Sequence, residues 1–349
     1  MYKPLIITSL TSILLLISAQ LEILGIIFSN LIFLSLPLIV SLTLATLILA
    51  AIIKRRLLFI VNIASLLFQI FLIQPLLTFG SSSPSYKDGL SITSFNASFV
   101  KLPRVYSKAY WSNELSAEAR NIESYFGEIN SDVICIQEFF DDSLNSSYSY
   151  LKEFSERGYD HMFLRNPKHD NGVSRGLVTF SKYPIIDKGK VFLSDNRYNG
   201  MSFIDIQLPE DTLRVVNVHL ESMELYFGDK PFFQKIKYAL SEWKRTTFAR
   251  YHQINALNSF ISKSPQKLVL AGDFNELPFS YNLNRLTNSL KNTFAETYTG
   301  LGRTLNKSRV PVRIDHQYYS SGITPTKSLI RKDVTGSDHH PIVCYYSLN

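Results

Sequence analysis

Long apolar stretches dominate the first 79 residues of the chain, and shorter apolar runs separated by polar positions dominate the rest. An apolar stretch of about 18 residues or more is long enough to cross the hydrocarbon core of a bilayer as a helix. The pattern therefore predicts about three transmembrane helices, over residues 5–28, 31–53 and 57–79. The first is the weakest, because Gln20 and Glu22 lie near its end, and a shorter span followed by an interfacial piece is the alternative.

Positive charge in one short loop predicts the orientation of these helices. Lys54, Arg55 and Arg56 separate the second and third apolar stretches. Positively charged residues close to membrane ends stay on the cytoplasmic side. We therefore expect an integral membrane protein that contacts the lipid bilayer through its amino-terminal helices. The remainder of the chain would lie on the opposite, extracytoplasmic side.

After the apolar segment, the chain has the pattern of a globular domain. Residues 80–89 are small, polar and turn-forming, which predicts a linker between the membrane segment and a domain over residues 90–349. Eight runs in this domain are typical of strands. They are Leu90–Asn96, Asp132–Glu138, Gly176–Ser181, Met201–Leu208, Leu213–Leu220, Leu268–Phe274, Ile314–Ser320 and Pro341–Ser347. Apolar residues at helical spacing precede the second and the sixth of these runs. The pattern predicts an α+β fold, a layered sandwich of two packed sheets with helices outside.

Charge is distributed as unevenly as hydrophobicity. Only four of the 36 Lys and Arg and one of the 29 Asp and Glu precede residue 80, which leaves a net charge of +4 (32 − 28) on the rest. Such a small charge does not by itself indicate a nucleic-acid partner. The densest basic patch, Lys235–Arg250, alternates with apolar residues at helical spacing and is interpreted as a solvated helix face. The composition excludes disordered, collagen-like and disulfide-stapled classes, and we expect Cys135 and Cys344 to be free, buried thiols.

Polar side chains recur where the apolar strands end. The candidate residues are Asn96, Glu138, Asn217, His219, Asp273, Asn275, Asp315, Asp338 and His339. A strand delivers a side chain rigidly to an edge where loops leave room for a substrate. Carboxylate and amide oxygens favour Mg²⁺ or Mn²⁺ over Zn²⁺, and a histidine beside such a metal can act as a general base. These residues therefore predict a catalytic metal site.

The order of six motifs resembles that of a known superfamily. The motifs are SFN (94–96), CIQE (135–138), NVHL (217–220), AGDFNE (271–276), RIDH (313–316) and SDHHP (337–341). They resemble the endonuclease/exonuclease/phosphatase superfamily over about Leu90–Tyr346. The resemblance implies a deoxyribonuclease I-like, four-layered α/β sandwich. It gives no support to the membrane segment, which depends on hydropathy alone.

The resemblance implies a metal shell. Glu138 would be the principal ligand of Mg²⁺ or Mn²⁺, and Asn96 and Asp338 would complete or support the shell. Many members of the superfamily have recognisable polar residues after the first-strand Asn, whereas this chain has residues 97–100, ASFV. A second ligand from that loop is therefore not expected.

The resemblance also implies residues that act on the water and the phosphate. His339 would be the general base that takes a proton from water, and Asp315 would orient it. Asp273 and Asn275 would position the nucleophile and the scissile phosphate. The histidines next to this set in sequence, His316 and His340, are expected to be structural.

The remaining implied residues are donors to the phosphate. His219, with Asn217 beside it, would hydrogen-bond a phosphate oxygen as negative charge builds. The resemblance and the hydropathy of the amino-terminal segment together predict a membrane-anchored, divalent-metal-dependent phosphoesterase that hydrolyses phosphodiester or phosphomonoester bonds by attack of water. A nuclease-type substrate is slightly preferred. The alternatives are a phospholipid, sphingomyelin or inositol-phosphate substrate, or a non-catalytic binding module displayed on a membrane.

One segment bears on the choice of substrate. Residues 222–244 are rich in aromatic side chains, among them Phe232, Phe233 and Trp243. Such side chains can stack on bases or contact lipid. Burial of the same side chains in the core is the alternative, so the sequence leaves the substrate open.

Overall fold

The structure is a computed structural model that describes residues 39–73, 77–83, 89–101, 116–165, 173–194, 198–223, 228–229, 231–264, 267–286, 290–306 and 311–348. The predicted span over residues 5–28, and the first part of the span predicted over 31–53, lie outside these ranges. Helices α1 to α7 are residues 39–52, Arg56–Ile73, Ala117–Glu128, Tyr150–Glu156, Phe232–Ile261, Tyr281–Leu286 and Thr293–Thr297.

Strands β1 to β7 are Thr78–Phe79, Leu90–Asn96, Val133–Asp142, Asp160–Arg165, Val173–Ser181, Ile185–Leu193 and Gly200–Gln207. Strands β8 to β14 are Thr212–His219, Lys267–Asp273, Lys291–Asn292, Thr299–Gly300, Asp315–Tyr319, Ile323–Ile330 and Ile342–Leu348. Two sheets of six strands dominate this set. One has the order β13-β14-β2-β3-β5-β4 and the other β10-β12-β9-β8-β7-β6. Each is mixed, because β2–β3 and β8–β9 are parallel while the other neighbours are antiparallel.

The two sheets pack face to face with helices on their outer sides. Ile92 and Cys135 of one sheet and Val215 of the other belong to one buried apolar cluster. Phe126 of α3 belongs to a second cluster on the outer face of the first sheet, and Leu257 of α5 to a third on the outer face of the second. The order helix, sheet, sheet, helix confirms the predicted α+β sandwich.

All eight predicted strands are present, with ends shifted by at most a few residues. Three longer strands that the pattern does not predict, β4, β6 and β13, lie at the edges of the two sheets. Edge strands face solvent on more sides than central strands do, so their side chains are mixed in polarity. In β6, for example, Asp187 and Lys188 are exposed. Cys135 and Cys344 are free and buried, as predicted.

Helices α1 and α2 form a hairpin that buries polar side chains between its two helices and exposes apolar ones. This is the reverse of the core of a water-soluble protein. Thr46 donates to Asn62 at 2.5 Å, and Gln69 donates to Thr43 at 2.8 Å, all between the two helices and buried. Large apolar side chains face outward instead: Leu42, Leu44, Ile48, Leu49, Ile52, Leu57, Phe59, Ile60, Ile63, Leu67 and Ile70. Within the described residues, we find no helix with both the length and the apolarity needed to cross a membrane.

The third predicted span and the linker differ from the structure at their junction. Helix α2 ends at Ile73 rather than at residue 79, and β1 pairs with β11 of the sandwich. The backbone amides of Gly80, Ser81 and Ser83 donate to carbonyls of the same domain. This part of the predicted linker is therefore bonded to the domain, because its main-chain groups find partners there.

Helix α5 corrects the interpretation of the basic patch over Lys235–Arg250. Most of its positive side chains are solvated as predicted, but Arg250 is buried. The helix connects the end of β8 to the start of the parallel strand β9, so it runs back along the outer face of the sheet.

Candidate active site

The strands of both sheets end at one edge, where the predicted residues meet. Asn96 is the last residue of β2. A bulge between Ile136 and Phe139 leaves Glu138 with a positive φ of 47°. Such a bulge re-aims a side chain at a sheet edge. It turns Glu138 toward Asn96 and the other sheet.

Strands β8 and β9 bring a histidine and a carboxylate side by side. His219 and Asp273 are register partners at the ends of the two strands. A Cβ atom on Gly272 would lie 1.9 Å from the Val218 carbonyl oxygen. Only glycine permits this close approach of the two backbones. Gly272 of the AGDFNE motif therefore sets the distance between the two functional strands.

An amide and two carboxylates form the centre of the site. Asn96 Nδ2 donates to Glu138 Oε1 at 3.2 Å and to Asp273 Oδ2 at 3.1 Å. Burial raises the pKa of Asp273; Asp315 raises it further, and His339 and His219 oppose this. Glu138 is the more open of the two acids, with a quarter of its side chain exposed. The two acids therefore form a negative pocket that opens to solvent at Glu138.

His219 faces both acids. Its Nε2 lies 3.9 Å from Glu138 Oε1 and 3.8 Å from Asp273 Oδ2, and is buried without a hydrogen-bond partner. Its Nδ1 lies 3.3 Å from the Tyr198 carbonyl oxygen, which only accepts, so Nδ1 is the donor. Burial lowers the pKa of His219. In the neutral ring, Nε2 is then an acceptor facing two carboxylates, an arrangement that a cation or an added proton stabilises.

His339 and Asp315 form a hydrogen-bonded pair. His339 Nδ1 lies 2.9 and 3.1 Å from the two Asp315 oxygens, and its Nε2 lies 3.6 Å from Asp273 Oδ2. Burial alone would lower the pKa of His339, but the Asp315 and Asp273 carboxylates outweigh it and raise the pKa to about 10. Ligand atoms of these three buried residues converge closely enough to hold a metal ion. None of these three residues is among the ligands predicted from the resemblance, Glu138, Asn96 and Asp338, whose role stays a prediction.

The loop before His339 contains a contact that the sequence does not predict. The Ser98 hydroxyl donates to Asp338, and the Ser337 hydroxyl donates to the Asn96 carbonyl at 2.7 Å. Ser98 and its two successors have positive φ values, which are uncommon for residues other than glycine. Ser337 belongs to the SDHHP motif and could have been singled out there. No motif marks Ser98.

Two predicted residues occupy different places from those expected. Asn275 donates through its side chain to the Leu220 carbonyl at 3.0 Å, so it ties the loops after β8 and β9 together. Asn217 is buried and donates to the Val178 carbonyl at 2.9 Å, while its oxygen accepts from Gln137 at 2.7 Å. These bonds join the two sheets. Asn217 therefore lies beneath the site and supports it, because its amide is engaged there rather than exposed to a phosphate.

A buried ion pair anchors the loop that follows β9. Arg250 Nε lies 2.8 Å from Glu276 Oε1, and Arg250 Nη1 donates to the Glu221 carbonyl at 2.8 Å. The Glu276 backbone carbonyl is also 2.9 Å from His316 Nε2. His316 thus has the structural position predicted for it, as does His340, whose Nδ1 lies 2.9 Å from the Val334 carbonyl oxygen.

Comparison with solved structures defines the class of fold. A structure of truncated TDP2 from Caenorhabditis elegans is 12% identical with a TM-score of 0.50, and covers 74% of this chain and 97% of its own. An endonuclease/exonuclease/phosphatase structure from Beutenbergia cavernae is 18% identical with a TM-score of 0.48, and covers 74% of this chain and 72% of its own. At 12% identity the likeness to the TDP2 structure shows the fold alone, two packed sheets flanked by helices.

The family follows from the sequence. Residues 93–339 match the model of the Endonuclease/Exonuclease/phosphatase family, and the chain belongs to that family. A search of curated proteins found no significant match.

Proposed function

We propose that the protein is a divalent-metal-dependent phosphoesterase that hydrolyses a phosphodiester or phosphomonoester by attack of water. One observation carries the proposal: two acids, one amide and two histidines from both sheets meet at one partly open edge. Such a set can neutralise a phosphate, hold donors near it and accept a proton. The match to the Endonuclease/Exonuclease/phosphatase family also supports the proposal, because the activities in that name are hydrolyses of phosphate esters.

The residues present fit Mg²⁺ or Mn²⁺. Glu138 and Asp273 supply hard oxygen ligands, and one oxygen of each converges on the Asn96 amide nitrogen. Asn96 points its side-chain nitrogen at the acids, while its side-chain oxygen accepts from the backbone N–H of Ser98. To bind the cation through that oxygen, the side-chain amide would have to rotate by about half a turn and break the bond to Ser98. When bound, the cation would neutralise phosphate charge as a Lewis acid.

The other residues have roles that their contacts support. His339 would accept the proton of the attacking water at Nε2, because Asp315 holds Nδ1 in its protonated form. His219, with a proton on Nε2, would donate to a phosphate oxygen. Asn275 would fix the loop that carries Asp273, and Asp338, the residue before His339, would raise the basicity of His339.

One preference from the sequence and one contact bear on the class of substrate. A nuclease-type substrate remains the preference from the sequence. One contact favours the alternative, a phosphodiester carried by a lipid: Val40 of α1 packs against Leu277, just after the AGDFNE loop. The amino-terminal hairpin therefore begins beside the active-site edge.

Replacement of Glu138 by Gln tests the metal-dependent site. We expect metal-stimulated hydrolysis of bis-p-nitrophenyl phosphate to fall by more than about 100-fold, because changes one shell further out already cost about 10–100-fold in metal affinity or activity. The assay uses the full chain in detergent with Mg²⁺, Mn²⁺ or EDTA. Glu128→Gln, the same change on an exposed side chain, is the matched control. Near-normal turnover of Glu138→Gln would contradict the assignment, and EDTA-resistant turnover of the unaltered protein would contradict metal dependence.

The same proposal places the amino-terminal segment up to Ile73, where α2 ends, in a lipid bilayer, with the catalytic domain on the side opposite Lys54, Arg55 and Arg56. Its support is the hydropathy of the segment and the outward apolar faces of the hairpin. The full chain should float with vesicles of phosphatidylcholine and phosphatidylglycerol through a density gradient at alkaline pH. Recovery in the dense fraction would contradict it.

A further inference from the structure

Helix α5 is about twice as long as the strands that it packs against. Its 30 residues extend about 45 Å, whereas the seven residues of β9 extend about 23 Å. Its buried residues lie between Thr246 and Ile261, a stretch of about 24 Å that matches the strands. Residues 232–245, about 21 Å of helix, contain no buried residue, although Tyr238 and Trp243 are half-buried. We call residues 232–245 the α5 arm.

The α5 arm extends past the active-site edge. The helix starts after the loop that follows β8, at the end of the strand that carries His219. Arg245 at the base of the arm bonds Glu221 in that loop at 2.9 Å, and Arg250 one turn further bonds Glu276. The arm consequently leaves the sandwich beside the loops that hold the catalytic groups.

The α5 arm has an apolar face that nothing in the described structure covers. Phe232 is 72% exposed and Phe233 82%, and Ile236 and Leu240 are also exposed. At 100° per residue these positions fall within about one third of the helix circumference. The same stripe is buried lower on the helix, where the sheet covers it. Lys237 and Lys244 lie along one border of this stripe and are exposed themselves.

We infer that the α5 arm docks on the surface of a lipid bilayer, with Phe232 and Phe233 in the apolar layer and its lysines at anionic head groups. Aromatic and apolar side chains on one helix face, flanked by lysines, are the pattern of interfacial membrane helices. The inference rests on the proposed placement of the amino-terminal segment in a bilayer.

The position of the hairpin favours lipid as the partner that covers the apolar face of the α5 arm. Val40 contacts Leu277 at the active-site edge, and α2 returns to the domain four residues before β1. Both ends of the hairpin therefore meet the domain, and its Lys54–Arg56 turn lies at the far end. Through Val40, a bilayer around the outward apolar faces of the hairpin would pass close to the edge from which the α5 arm extends. The active site then opens beside the lipid surface.

Site-specific quenching tests the inference on the full chain. Phe233→Cys is labelled with the fluorophore NBD and reconstituted in phosphatidylcholine and phosphatidylglycerol vesicles with or without doxyl-labelled lipid. The control is Ile186→Cys, 56% exposed on β6 at the opposite end of the sheet. The native thiols are buried and escape labelling. Hydrolysis of bis-p-nitrophenyl phosphate by each labelled protein checks that it has folded.

We expect the emission at position 233, and not at 186, to shift to shorter wavelength and to lose intensity with doxyl lipid. Protein that floats with vesicles but shows no quenching at 233 would overturn the docking and leave the bilayer anchor standing. Equal quenching at both positions would overturn it as well. A shifted emission that doxyl lipid leaves unquenched would show that a second copy covers the arm. Protein that fails to float would overturn the anchor and, with it, this inference.

Discussion

Replacement of His339 by Ala is expected to reduce metal-dependent hydrolysis by about 10²–10⁴-fold, the usual contribution of a general base. His339 lies 2.9 Å from Asp315 on one side and 3.6 Å from Asp273 on the other. Its Nε2 therefore lies beside Asp273, one of the acids that would hold the metal, where it can accept the proton of the water. His252→Ala, an exposed histidine on α5, is the matched control. A His339→Ala protein with normal turnover would show that another group takes the proton.

The Asp315–His339 pair also predicts a pH dependence. In the metal-free protein the pKa of His339 is raised to about 10, so the ring is protonated at neutral pH and becomes a base as the pH rises. Neutralising Asp273 with a cation opposes that increase and favours the free base. Asp315→Asn removes the largest of the contributions that raise the pKa. We expect the rising limb of kcat/KM to move to lower pH in this variant while its plateau falls, because the ring also loses its orientation. An unshifted limb would contradict the pairing.

The sequence predicts which residues belong to the site better than it predicts how far each lies from the open edge of the sheets. A polar residue such as Glu138 or Asp273 at the end of an apolar strand stands out, since burying it there needs a partner. Asn217 shares a face with His219 by the period of two. It lies two residues earlier in the strand, however, about 6.6 Å deeper between the sheets. At that depth its amide bonds Gln137 and backbone carbonyls instead of reaching the pocket.

The contacts that the sequence pattern does not predict join residues that are far apart along the chain. Arg250 lies in a basic, amphipathic helix, and its partner Glu276 lies in the loop after β9. Because each position is unremarkable when considered by itself, the sequence does not indicate the ion pair. Ser98 lies in a loop with no motif, and its contact with Asp338 depends on a left-handed backbone. The hairpin is a similar case, because Thr43 and Gln69 in apolar stretches reveal their role only once they face each other.

The ion pair between Arg250 and Glu276 leads to the largest expected effect on stability. Both side chains are buried. Removing one member of a buried pair leaves an uncompensated charge, which typically costs about 3–5 kcal/mol. We therefore expect Arg250→Met to lower the free energy of unfolding by that amount. The measurement is urea unfolding of the full chain in detergent, followed by tryptophan fluorescence.

Arg245→Met is the matched control on the same helix. Arg245 also bonds glutamates, but half of its side chain is exposed, so its loss should cost only about 0.2–1 kcal/mol. Arg250→Lys should recover part of the stability, since it restores the charge without the guanidinium fork that also bonds the Glu221 carbonyl.

The pair should matter to catalysis as well as to stability. Glu276 is the last residue of the AGDFNE motif. Arg250 connects the loop that contains Glu276 to the loop after His219. Arg250→Met should therefore lower kcat at temperatures where the variant is still folded, because Asp273 and His219 lose their common support. Removing both charges, with Arg250→Met and Glu276→Leu together, should cost less stability than the sum of the single changes. An Arg250→Met protein as stable and active as the Arg245→Met control would show that the buried pair neither stabilises the fold nor positions the site.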